Sequence, residues 1–301
     1  MKKGIGLSVA ASGLFALLYY YATLLKPLEG TEVFAWRVVL GVPALAIVIT
    51  RFKRWHEVGL VAKRMLVDLR YLLLQMLCAA LFGVQLWLFV WAPLHQKALD
   101  VSMGYFLLPL MMVLAGRLVY KEKLSSMQWV AVGFAILGVS HELLRTFSFS
   151  WATALVVFGY PPYFILRRYL KVGSLSSLYF DFSFLLVPAF YILWSQETSV
   201  LQQFSHDWTL SWKVLLFGII SAAALLGYLT ASRLLPLSLF GILGYVEPVL
   251  LFWVAFLLLG EPVQPHEWLT YIPIWIAVLI VALEGMNALR QDMQLRSTAK
   301  K

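Results

Sequence analysis

Three ionisable side chains stand inside long apolar runs: Arg37, Asp181 and Glu247. A charge at the centre of a bilayer costs about 2.5–3.5 kcal/mol on insertion scales, so residues kept at that cost are expected to face a polar interior. Glu247 lies deepest in its run, directly before Pro248. A proline inside a span frees a backbone carbonyl one turn earlier, here near Gly244, and such a kink is one way to build a midplane site. A carboxyl group desolvated in a membrane can load and release a proton. One charge moved down the membrane potential yields about 2.3 kcal/mol per 100 mV. Glu247 and Asp181 are therefore the proton-coupling candidates. Arg37 offers a cationic wall or the partner of a carboxylate. A plainer reading stands beside each. Arg37 could snorkel at an interface, Asp181 could sit at a helix N-terminus, and Glu247 could pair with Arg37 or a tyrosine.

Aromatic and amide groups fall at the same expected height: Gln85, Trp87, Tyr105, Tyr160, Tyr163, Tyr228 and Tyr245. With Arg37 they form the substrate-binding set. Tryptophan and tyrosine also serve as interfacial belts, so not every ring belongs to a cavity. A cavity lined this way suits a moderately apolar, ring-bearing or amphipathic solute better than a multiply charged sugar phosphate. Pro161-Pro162, between Tyr160 and Tyr163, is expected to break its span in mid-course and to face protein or cavity. His95 beside Asp100 is a candidate gate. The five histidines, His56, His95, His141, His206 and His266, are too widely spaced for a metal cluster. The chain has no His-Glu-x-x-His, no Gly-x-Ser-x-Gly and no phosphate loop. No catalytic residue, metal or cofactor is expected. Cys78, the one cysteine, reads as a packed small hydrophobe.

The elements that must hold these groups follow from composition. Of 301 residues 61% are hydrophobic and 13% charged, and mean hydropathy is +0.82. Such a chain is too apolar for a soluble domain. Its formal net charge of +9 lies between apolar runs, which fits membrane orientation rather than nucleic-acid binding. A span needs about 20 apolar residues. Ten segments qualify, at roughly 4–25, 32–50, 71–92, 100–119, 127–144, 151–168, 178–195, 212–232, 237–259 and 268–288. Lys2 and Lys3 precede an apolar stretch that runs on to Leu25, which fits a first span better than a signal peptide. The connection 51–70, with Trp55, Val58, Met65, Leu66 and Leu69 among basic residues, suits an amphipathic helix lying flat on the membrane.

With the N-terminus in the cytoplasm, nineteen Lys and Arg fall on that side. The other side has four: Lys26, Lys97, Arg145 and Lys213. Both termini are then cytoplasmic. Ten is twice five, and a second odd-numbered unit must enter the membrane inverted. Pro109, Glu122 and Trp129 recur as Pro248, Glu261 and Trp268 at one constant offset, after Gly104-Tyr105 and Gly244-Tyr245. Val42-Pro43-Ala44 recurs as Val187-Pro188-Ala189. The expected fold is an all-α integral membrane protein of ten transmembrane helices in two inverted-topology five-helix repeats, 1–145 and 146–290, with a cytoplasmic tail 291–301. An inverted repeat lets one site open to either face. Glu122 and Glu261 are expected to cap the next helix or pair with a base. Gly218/Ala222 and Ala223/Gly227 permit close helix packing.

Gly83 through Trp91-Ala92, then His95, Asp100, Ser102, Gly104-Tyr105-Phe106, Pro109, Glu122 and Met127-Gln128-Trp129 closely resemble the RarD branch of the EamA family, within the drug/metabolite transporter superfamily. The resemblance covers the whole chain in length and span pattern and is most specific between about residues 83 and 140. It departs at Gly244-Tyr245-Val246-Glu247-Pro248, where the Glu-Pro pair looks more like the wider family. It implies a ten-helix carrier of the bacterial inner membrane, and the branch's description as chloramphenicol-sensitive implies drug export. The expected function is secondary active transport of a small organic metabolite, amino acid or drug by alternating access. The alternative is a facilitative channel or a non-transport membrane subunit. Small-molecule substrate and lipid bilayer are the expected partners, and nucleic acid is not. One chain holds both halves, so a monomer suffices and a homodimer is compatible.

Overall fold

The computed structural model describes residues 2–121, 124–146, 150–195, 208–235, 240 and 243–298. These residues form the helices α1 (Lys2–Tyr21), α2 (Gly30–Arg51), α3 (Trp55–Val67), α4 (Leu69–Trp91), α5 (Ala98–Tyr120) and α6 (Ser126–Thr146), followed by α7 (Trp151–Leu170), α8 (Ser174–Trp194), α9 (Trp208–Leu234), α10 (Val246–Trp253) and α11 (Trp268–Thr298). No strand occurs among the described residues. Among the described residues six helical segments are long and apolar enough to cross a membrane, and shorter apolar helices cover Val246–Leu258 and Trp268–Glu284.

Helix starts are fixed by polar side chains. Glu32 takes the Glu29 N–H at 2.7 Å in a capping box at the head of α2. Asp68 takes the Tyr71 N–H at 3.0 Å at the head of α4. Ser125 and Gln128 cap each other's backbone at the head of α6. Several helices end on a non-glycine residue in the left-handed region. Lys53, Lys121 and Lys171 follow α2, α5 and α7, and Gln96 follows the short turn after α4, all with φ near +54°. Glycine is the ordinary occupant of that position.

Packing divides the chain into two compact units. One comprises Met1–Gly13, Ala98–Phe158 and Gly227–Lys301; the other comprises Leu14–Lys97 and Gly159–Leu226. In the second unit α2 and α4 both pack on α8. Glycines permit the approach: a Cβ at Gly41 would stand 2.3 Å from the Phe182 ring, and one at Gly83 would stand 2.4 Å from Leu185. In the first unit α6 packs on α11 and α5 on α10. Helix pairs matched by the sequence repeat, α2 with α8, α5 with α10 and α6 with α11, are thus packed together. A repeat divides sequence and a compact unit divides space, so each unit draws helices from both halves of the chain.

Two expectations change. Pro161-Pro162 does not break its span: α7 continues through both from Trp151 to Leu170. Two missing N–H groups remove two bonds from the ladder, while the surrounding ladder and packing hold the helix. The run 237–259 is not one helix. α10 starts at Val246 and passes into a π turn at Val254–Leu258. Pro248 lies in the first turn of α10, directly after a turn at Gly244-Tyr245 that interrupts the run one turn before the proline, where the sequence places the break. α11 extends as helix from Trp268 through Thr298.

Candidate functional site

The second unit buries an ion pair. Asp181 stands about two turns inside α8, with no solvent exposure. It is not a helix N-terminal charge, because α8 begins at Ser174. Its partner is Arg167 of α7, whose Nη2 donates to Asp181 Oδ1. Arg167 and Tyr163 are four residues apart and share one helix face. Tyr163 Oη donates to Asp181 Oδ2 at 3.3 Å. The Tyr163 ring stacks on Phe82 at 5.4 Å between centroids, and the Arg167 guanidinium lies 5.2 Å from its centre. Arg167 Nη1 also donates to Gln75 Oε1 of α4 at 2.9 Å, and Gln75 is fully buried. Two buried donors, Arg167 Nε and Gln75 Nε2, find no acceptor among the described residues.

Such a cluster is a poor way to stabilise a fold. Desolvating both ions offsets most of their attraction, while removing one alone strands the other. In chemical terms the cluster is a carboxylate that can take a proton, a guanidinium matched to carboxylate or carbonyl oxygens, and an aromatic face beside them.

Other predicted residues make contacts of their own, and Tyr160 packs against the hydrophobic cluster that includes Tyr163. Arg37 is buried, donates through Nε to Ser221 Oγ at 3.3 Å and lies 5.0 Å from the centre of the Phe89 ring. Trp87 Nε1 donates to Thr31 Oγ1 at 3.1 Å. Gln85 is buried, and a Cβ at residue 159 would stand 2.2 Å from its Nε2, so Gly159 is what leaves room for that amide. Tyr160 stacks on Phe164. Pro161 is buried and Pro162 exposed. His95 is exposed and stacks on Trp91 at 3.9 Å.

In the first unit, Tyr105, Tyr245 and Glu247 are half-buried and Pro109 lies within α5. Tyr228 meets Phe240 edge to face at 4.7 Å. Asp100 accepts the Thr153 hydroxyl on its backbone oxygen at 2.8 Å. Glu247 sits in the first turn of α10, not ten residues inside a helix. Glu261 does cap a helix, but not the next one. Both its oxygens accept backbone N–H groups at 2.8 Å, from Ala98 and Leu99, at the head of α5. Gly260, with φ +67°, makes the turn that aims it there. Glu122 lies outside the described residues.

Sequence reasoning missed two members of the buried cluster. Arg167 reads as a surface charge because Arg168 and Lys171 follow it. The four-residue spacing from Tyr163 was the available clue. Gln75 is an amide in an apolar run, ten residues before Gln85. His141 lies within α6. It contacts the buried Thr270 at 2.9 Å, and Thr270 donates to Glu142 at 3.0 Å. The single hydroxyl proton goes to Glu142, so the His141 contact requires the proton on its Nδ1.

Comparison with known proteins fixes the family. The EamA-like transporter family matches residues 2–141. The chloramphenicol-sensitive protein RarD of Pseudomonas aeruginosa is 42% identical over 292 residues, covering 96% of this chain and 97% of that protein. This chain is a RarD-type member of the EamA family. An uncharacterised transporter of Pasteurella multocida is 38% identical, covering 97% of this chain and 99% of its own length. The protein RarD of Streptomyces exfoliatus is 27% identical over 97% of this chain and 91% of its own length. Arg37, Gln75 and Gln85 fall within the family match, whereas Tyr163, Arg167 and Asp181 fall in the part aligned by the full-length relatives. Apolar helices and family together make this RarD-type chain a multi-pass membrane protein.

Proposed function

We propose that the chain is a secondary active transporter of the bacterial inner membrane, exporting a small organic metabolite, amino acid or drug by alternating access with proton coupling. The observation that carries this reading is the buried Arg167–Asp181 pair with Tyr163 and Gln75 around it. On the cytoplasmic side the solute enters between the paired charges: its carboxylate or carbonyl oxygen accepts from Arg167, a donor group of the solute meets Asp181, Gln75 supplies an amide donor and Phe82 a ring face. A proton taken up on the Asp181 carboxylate from the outer side displaces the solute there, and loss of that proton to the cytoplasm restores the ion pair, so one solute leaves as one proton enters. Asp181 suits this role better than Glu247, which is only half-buried in a first helical turn. Ten spans in two inverted halves complete the reading. The packing of repeat-matched helices against each other supports it, since a pseudo-two-fold axis brings related elements together.

The test has two stages. Purified protein is screened by thermal shift against amino acids, drugs and metabolites, and hits are followed by counterflow in proteoliposomes. Saturable counterflow is expected. Asp181→Asn should keep counterflow and lose acceleration by an imposed pH gradient. If both Asp181→Asn and Glu247→Gln keep an unchanged pH dependence, proton coupling is wrong. A steady ionic current without counterflow would favour the channel reading.

A further inference from the structure

A second polar site lies about one helical turn from the ion pair, at the corner where α3 meets α4 beside the end of α7. It is a cavity of about 440 Å³. Arg64, Arg70 and Lys171 bring three positive charges to its lining, against the single carboxylate of Asp68. That carboxylate already accepts the Tyr71 N–H at the head of α4. The Arg64 guanidinium rests 4.2 Å from the centre of the buried Tyr71 ring, which holds it at the cavity. The lining thus carries two net positive charges on a fixed frame.

Two further features say what those charges face. Leu66, Val67 and Leu69 are 88%, 89% and 68% exposed, and they interleave in sequence with Arg64, Asp68 and Arg70. Three nearly bare aliphatic side chains beside a cluster of cations suit the boundary between acyl chains and headgroups. Lys171 has φ +53°. Glycine would occupy this helix-ending position without strain, yet a lysine stands there and adds its ammonium to the cavity.

We infer that this corner binds the phosphodiester headgroup of an anionic glycerophospholipid, with its acyl chains along Leu66, Val67 and Leu69. Basic cavities at helix ends are suited to such headgroups. The three cations meet the phosphate, and exposed Tyr169 of the lining offers its ring edge to the glycerol side. The site is independent of the transport reading, because its ligand belongs to the bilayer rather than to the solute pathway.

The experiment is native mass spectrometry of the full chain in detergent. It is run with added dioleoyl phosphatidylglycerol, with dioleoyl phosphatidylcholine, and with phosphatidylglycerol plus excess inorganic phosphate. Phosphatidylglycerol should be retained and phosphatidylcholine not, and phosphate should fail to displace the lipid. Arg70→Gln and Lys171→Gly should each lower retained lipid about five-fold, the effect of one basic contact at a membrane surface. Lys63→Gln, an exposed charge on α3 outside the lining, should leave retention unchanged. Lys171→Gly relieves a strained backbone, so its melting temperature should not fall, which separates lost binding from lost folding. Equal retention of the two lipids, or an equal loss in Lys63→Gln, would overturn the site. Displacement by phosphate would reassign it to a free anion. Undiminished retention in both cavity variants would also overturn it.

Discussion

Arg167 and Asp181 are bound to each other more tightly by environment than by attraction. In an apolar surround neither ion has water to fall back on. Arg167→Leu should therefore destabilise the protein by about 3–5 kcal/mol, because it leaves Asp181 buried and unpaired. The double replacement Arg167→Leu with Asp181→Leu should recover most of that loss. Unfolding in mixed micelles reads both. If the double variant is stable yet inactive in counterflow, the pair serves transport rather than folding. If the double variant is as unstable as the single, the pair is structural. At this scale sequence revealed half of the site. A carboxylate within an apolar run is visible as an expense. A guanidinium at a helix end is not, because its long stem can reach either toward water or inward. Only the packing of α7 beside α4 and α8 shows that Arg167 turns inward.

Among the elements, α5 depends on a residue far from it in sequence. Glu261 accepts both N–H groups at its head, and the contact is buried. Glu261→Ala would strand two buried donors at about 1–3 kcal/mol each. The measured loss should lie toward the lower part of their sum if water can enter. Glu261→Gln keeps one acceptor oxygen and should lose roughly half as much. Amide exchange at Ala98 and Leu99 should rise in the alanine variant, and unchanged exchange there would remove the cap from the account. That Glu261 is structural was legible from its place after an apolar helix. Which helix it serves was not, since a cap aimed across space leaves no local trace. The same limit explains α7 and α10. Proline marks a weak point in a ladder, and packing decides whether the helix yields there. It persists through Pro161-Pro162, while the run containing Pro248 instead starts its helix two residues earlier.

For the whole molecule, composition was the strongest guide. Hydropathy and charge placement sufficed for a multi-pass helical chain, and residues 83–140 sufficed for the family. Orientation can be tested with the protein nearly as it stands. Cys78 has no solvent exposure, so the unmodified chain should resist a membrane-impermeant maleimide. Lys63→Cys and Lys97→Cys flank the single helix α4. In intact cells only Lys97→Cys should label; after permeabilisation both should. Labelling of both from outside would mean that α4 does not cross, and labelling of Lys63→Cys alone would invert the topology.

The left-handed residues at helix ends bear on how the chain enters a membrane. Lys53, Lys121 and Lys171 all fall on the side that the charge count assigns to the cytoplasm, whereas among the described residues those in this conformation on the opposite side, Gln96 and Gly260, are uncharged. On that assignment each of these lysines would do two jobs during biogenesis, its backbone stopping the helix and its ammonium resisting translocation. The stop and the address are written in one codon, so a nascent span meets its anchoring charge at the residue where its own winding ends.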